Sequence, residues 1–126
     1  MLDSPNRPVY LNLLQIRLPV AGIMSIVHRI TGVLMFLATP FLIYLLDLSL
    51  ASADGFARAA AIVHSGLGIL VLFGLLWGLL HHLFAGFRYL LLDAHIGVDK
   101  PVYRHSAWTV LIAAPLVALL LAGVLL

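Results

Sequence analysis

Three long apolar runs, each interrupted by only a few polar side chains, organise the chain: Ile30 to Leu50, about Ala59 to Leu92, and Ala107 to Leu126. Each reaches the roughly 20 residues that a helix needs to cross a bilayer core, and the second can span with tilt or project a turn beyond it. The pattern predicts an all-α integral membrane fold with three transmembrane helices, at about 30–50, 62–92 and 107–126, in a single domain covering 1–126. Asp47 to Arg58 and Ala94 to Ser106 read as two short polar connections. Pro40 is expected to kink the first helix or lean on a neighbouring one, which membranes tolerate better than water does.

Residues 1–28 form a cytoplasmic or interfacial N-terminal segment and the start of helix I. Pro8 and Pro19 interrupt helix, so Val9 to Leu18 is expected to be extended or interfacial. A helix should begin just after Pro19, because proline is tolerated in a first turn. Met-Leu-Asp-Ser-Pro-Asn-Arg-Pro lacks the basic start and apolar core of a signal peptide, so no cleavage is expected.

Composition agrees with the pattern. Of 126 residues, 63% are hydrophobic and 10% charged, and the mean hydropathy of +1.15 belongs to a membrane protein. Without cysteine, disulfides, thiolate zinc sites and iron-sulfur clusters ligated by this chain are excluded, and histidine is the main ligand type. A formal charge of +2 is too weak a surplus to argue nucleic-acid binding, but its distribution is informative. Arg7, Arg17 and Arg29 precede or open the first span, and Arg88, Lys100 and Arg104 flank the second connection; the other side has only Arg58. The positive-inside rule then puts the N-terminus and the second connection in the cytoplasm, with the first connection and the C-terminus on the opposite side.

The candidate chemistry is concentrated in His81 to Asp93, which holds two imidazoles, an arginine and an acid among apolar residues and glycine. Ionisable groups at membrane depth are costly and tend to be functional. Gly74, Gly78, His82 and Gly86 recur every four residues and share one stripe of a helix. Two readings stand: a groove in which a flat macrocycle lies beside an imidazole, or a close helix contact across which His82 hydrogen-bonds. His81 is rotated by about 100° from the stripe, toward lipid or a different neighbour.

Ser25, His28, Arg29 and Gly32 also share a face, at i, i+3, i+4 and i+7. A hydroxyl beside a guanidinium can bind a carbonyl oxygen or a carboxylate. The alternative is a snorkelling arginine with Ser25 bonded to backbone. Arg88 and Asp93 have a plain reading as helix-end anchors, Asp47, Asp54 and Arg58 as solvated charges, and His64, His95 and His105 as interfacial groups.

Three segments together carry a resemblance: Arg7-Pro8-Val9-Tyr10-Leu11-Asn12-Leu13, Ser25-Ile26-Val27-His28-Arg29-Ile30-Thr31-Gly32, and His82-Leu83-Phe84-Ala85-Gly86-Phe87-Arg88-Tyr89 with Asp93 beyond it. They resemble the cytochrome b membrane-anchor subunits of succinate dehydrogenase (succinate:quinone oxidoreductase, complex II), over nearly the whole chain. The resemblance implies a three-span subunit that pairs with a second small anchor subunit to hold haem b. The pair docks an iron-sulfur subunit and a flavoprotein subunit, which carry the iron-sulfur clusters and FAD. The chain would then be a subunit of an enzyme without itself oxidising succinate, and would help form the site where ubiquinone, the substrate, is reduced.

By the same resemblance His82 is an axial ligand of the haem iron, the other axial histidine comes from the second anchor subunit, Ser25 and Arg29 bind quinone, and His28 and Arg29 lie in the haem propionate region. Tyr89 departs from the family, in which many members have histidine there. A haem-free structural anchor and a quinol-oxidising fumarate reductase anchor are the alternatives. Ion translocation fits poorly, because the run from Ala107 to Leu126 has no ionisable side chain.

Overall fold

The computed structural model describes residues 16–125. The described residues form four helices, α1 (Val20–Ala51), α2 (Ala53–Val63), α3 (Gly66–Asp93) and α4 (Lys100–Leu125). Three of them, α1, α3 and α4, are long and apolar enough to cross a membrane. With 32 residues, α1 is about 48 Å long, well beyond the roughly 30 Å of hydrocarbon.

Helix α1 begins where proline chemistry predicts. Pro19 is extended, with φ −64° and ψ 152°, and its carbonyl accepts from the N–H groups of Gly22 at 2.8 Å and Ile23 at 3.1 Å. The helix is continuous across Pro40, as α4 is across Pro115. Of the predicted extended segment Val9 to Leu18, only Ile16 to Leu18 is described, and it is non-helical. The Arg7 to Leu13 motif lies outside the described residues.

The predicted boundaries need three corrections. The first connection is not a polar loop: Asp47 belongs to α1, and most of the remainder is α2, with Asp54 and Arg58 paired at 3.0 Å on its exposed side. The second apolar run is not one helix, since the chain breaks at His64 and Ser65. The third span starts seven residues before Ala107, at Lys100, and takes the cations of the second connection into its first turns.

Both unforeseen corners use the same device. The Ser52 hydroxyl accepts from the Gly55 N–H at 2.9 Å, and that of Ser65 from the Gly68 N–H at 3.0 Å, which satisfies a helix's orphan donor. The glycines let the new helix abut the old one: a β-carbon at Gly55 would collide with the Leu48 carbonyl, and one at Gly68 with the Ile62 carbonyl.

At the other end α3 closes without glycine. Ile96 N–H bonds the Leu91 carbonyl and His95 N–H the Leu92 carbonyl, both at 2.9 Å, and His95 takes the left-handed position with φ 60°, where glycine is usual.

Helix α3 packs on both α1 and α4, which also touch each other. The interior is made of small residues, with Ala85, Ala107, Ala114 and Ala118 fully buried beside Met24 and Val110. Large side chains such as Phe36, Leu50, Leu67 and Val124 point outward. Small residues let backbones approach closely, and outward apolar side chains suit lipid.

Candidate functional site

The contact between α1 and α3 is organised around His82. One ring nitrogen, Nδ1, lies 3.0 Å from the backbone carbonyl oxygen of His28. A carbonyl can only accept, so Nδ1 carries a proton, and in the neutral ring the lone pair is then on Nε2. The same carbonyl oxygen accepts from the Thr31 hydroxyl at 3.0 Å, which also reaches the Val27 carbonyl at 2.9 Å.

Around this bond the rings stack. The His28 imidazole lies 4.0 Å from that of His82, nearly parallel at 11°, and meets Tyr89 edge-on at 5.3 Å. Gly32 makes room for the arrangement: a β-carbon there would stand 2.9 Å from His82 Cε1, closer than real contacts allow. The glycine stripe is partly the helix contact of the second reading. Gly78 faces Thr31 and Gly86 faces His28, both at ordinary van der Waals distance, while Gly74 has open space.

Of the two alternatives for His81, lipid is wrong. The side chain is 1% exposed, tilted against Trp77 at 6.1 Å, and its Nε2 is buried without a partner among the described residues. His82 is only half-buried.

Ser25 and Arg29 sit one turn apart beside the buried stripe of α1. Ser25 is half-buried and Arg29 exposed; of the four residues of that face, the structure brings His28 and Gly32 against His82.

Arg88 is no exposed helix-end anchor. It is 5% exposed, donates from Nε to the Ser106 hydroxyl and from Nη2 to the Tyr103 carbonyl, both at 2.9 Å, and stacks on the Tyr103 ring at 4.6 Å. Its Nη1 is buried without a partner among the described residues. Sequence reasoning missed Tyr103 and Ser106 as its partners, because a contact 15 or 18 residues away leaves no local pattern. Thr31 was missed too, although its spacing from Val27 and His28 was readable.

Among the described residues no group of three or more His, Cys or acidic side chains is placed to hold a metal ion. A lone imidazole such as His82 would suit a metal that brings most of its own ligands, as the iron of a macrocycle does. The fixed tautomer of His82 suits that role, since metal-binding histidines commonly donate the other N–H to a carbonyl.

Comparison with known proteins gives the family. The family model described as "Succinate dehydrogenase/Fumarate reductase transmembrane subunit" matches residues 3–122. The chain belongs to this family. It is 40% identical over 122 residues to the succinate dehydrogenase cytochrome b556 subunit of Coxiella burnetii (strain RSA 493 / Nine Mile phase I), covering 96% of this chain and 97% of that protein. It is 37% identical over 119 residues to the succinate dehydrogenase cytochrome b556 subunit of Paracoccus denitrificans, covering 94% and 92%. As a succinate dehydrogenase/fumarate reductase transmembrane subunit with three membrane-length helices, the chain is an integral membrane protein, and the identification from the motifs of α1 and α3 is borne out.

Proposed function

We propose that this chain is the haem b-binding membrane-anchor subunit of succinate dehydrogenase, with His82 as one axial ligand and a second small anchor subunit supplying the other. The observation that carries the reading is the bond from His82 Nδ1–H to the His28 carbonyl, which orients the ring and, in its neutral form, keeps Nε2 as the nitrogen that can bind a metal. The naming of both relatives as cytochrome b556 subunits supports it.

Haem with two imidazole ligands supplies one-electron transfer and leaves no position open for oxygen chemistry. The residues of this chain would do the rest. His82 binds through Nε2, and the His28 carbonyl holds its tautomer. Gly32 admits the ring. His28 and Arg29 put donors in the propionate region, and an exposed Arg29 is free to meet an anion that does not belong to this chain. Ser25 and Arg29 bind ubiquinone: donors aimed at a quinone oxygen favour the charge that develops there on reduction. Partner subunits carry FAD and the iron-sulfur clusters and dock at the cation-rich end, which faces the cytoplasm. Between the two activities in the family description, the names of the relatives favour succinate dehydrogenase over fumarate reductase.

A reduced-minus-oxidised spectrum of the purified complex tests the ligand. In His82→Ala the b-type band is lost or shifted, and in His81→Ala it persists; the opposite pair of results moves the ligand to His81. Ser25→Ala and Arg29→Ala lower quinone reduction while succinate oxidation by an artificial soluble acceptor continues. An equal fall in both assays would make these two residues assembly contacts.

A further inference from the structure

A groove at the cation-rich end shares no residue with the His82 constellation. Its walls are the start of α1, with Pro19, Val20 and Ile23, and the first turns of α4, and it encloses about 740 Å³. Lys100, Arg104 and Trp108, all lining it, recur at four-residue intervals and so form one line down α4, with His105 beside them. From Lys100 to Trp108 the line descends about 12 Å. It leads from two cations to an indole, opposite the apolar wall of Val20 and Ile23.

Among the described residues no acid neutralises these cations. Among the described residues the ion pair at salt-bridge distance is Arg58 with Asp54, at the opposite end of the bundle. Asp93 and Asp99, the acids of the neighbouring connection, pair with neither Lys100 nor Arg104.

The surface is therefore amphiphilic along its depth, positive at the mouth and apolar with an indole below. A free anion would use only the mouth, and a neutral hydrocarbon only the floor. An anionic headgroup joined to acyl chain uses both. Basic pockets at helix ends take acidic headgroups, and tryptophan favours the headgroup level. We propose that this groove binds an anionic phospholipid, with the phosphate at Lys100 and Arg104 and the glycerol and upper acyl chain against Val20, Ile23 and Trp108.

Native mass spectrometry of the full chain, purified with its companions in mild detergent, tests this. After delipidation, phosphatidylglycerol and phosphatidylcholine are titrated back in separate arms. Lys100→Gln/Arg104→Gln should bind phosphatidylglycerol about 30-fold more weakly than the unsubstituted chain, at the per-cation strength known for basic groups near a membrane surface. Phosphatidylcholine should bind both alike, and Arg58→Gln should behave as the unsubstituted chain. Equal phosphatidylglycerol affinity in the double variant overturns the proposal, as does an equal loss of phosphatidylcholine. Displacement by inorganic phosphate would mark a free-anion site instead. Dissociation of a companion subunit with the lipid count unchanged would mark a protein-docking face. Both outcomes overturn the lipid site. Since both side chains are exposed, the variants keep the fold, and the masses in the same spectrum verify the assembly.

Discussion

At Gly32 a single hydrogen atom decides how closely α1 approaches an imidazole. Gly32→Ala places a methyl 2.9 Å from His82 Cε1, so the ring or the helix must shift. An overpacked contact of this kind costs about 1–3 kcal/mol. The expected outcome is a lower thermal midpoint together with an altered b-type spectrum, because the shift also stretches the bond to the His28 carbonyl; unchanged values of both would mean the interface yields freely. His95 offers the converse case. Its left-handed backbone, φ 60°, is cheap only for glycine, so His95→Gly should stabilise the protein by about 1 kcal/mol, read as a raised midpoint in detergent. At this scale helical spacing showed which residues share a face better than which neighbour they meet. His82 and Gly32 were legible from spacing. The inward turn of His81 and Arg88 was not, because helical phase alone does not say which neighbour lies on which side.

Among the elements, the seam between α3 and α4 depends on Arg88. Replacing it with methionine keeps the length and removes two charge-assisted hydrogen bonds, to Ser106 and the Tyr103 carbonyl. The loss should be about 2–3 kcal/mol, moderated because Ser106 still reaches that carbonyl at 3.1 Å. Limited proteolysis of the connection between Ala94 and Asp99 should then accelerate, whereas cleavage near α2 should not. Element boundaries were readable where backbone chemistry is strict, as at Pro19. They were not readable at His64 and Ser65, since hydropathy is continuous from Ala59 into α3 and cannot separate two helices that meet at a corner. The local cue was there in Ser52 with Gly55 and Ser65 with Gly68, each a capping serine three residues before a glycine.

For the molecule as a whole, the absence of cysteine makes orientation directly measurable. In Ala57→Cys the thiol lies on exposed α2, and in Val98→Cys on the exposed connection before α4. An impermeant maleimide applied to intact cells should label Ala57→Cys at once and Val98→Cys only after permeabilisation, since the cations gather at the second end. Labelling in the reverse order would invert the chain in the membrane. The class of the molecule was the most legible property of all, because three apolar runs and a small-residue interior arise from the same lipid constraint.

The anchor of His82 has a mutational consequence of its own. Its acceptor is a main-chain oxygen, and every amino acid at position 28 would present the same atom. Drift at that position can alter the stacked ring or its polarity while the tautomer of His82 stays fixed. Robustness on one side of the imidazole thus coexists with crowding on the other, where a β-carbon at position 32 would press on the ring. Substitution at position 28 should therefore leave the tautomer of His82 in place, whatever it costs the propionate region, whereas a side chain at position 32 must displace the ring.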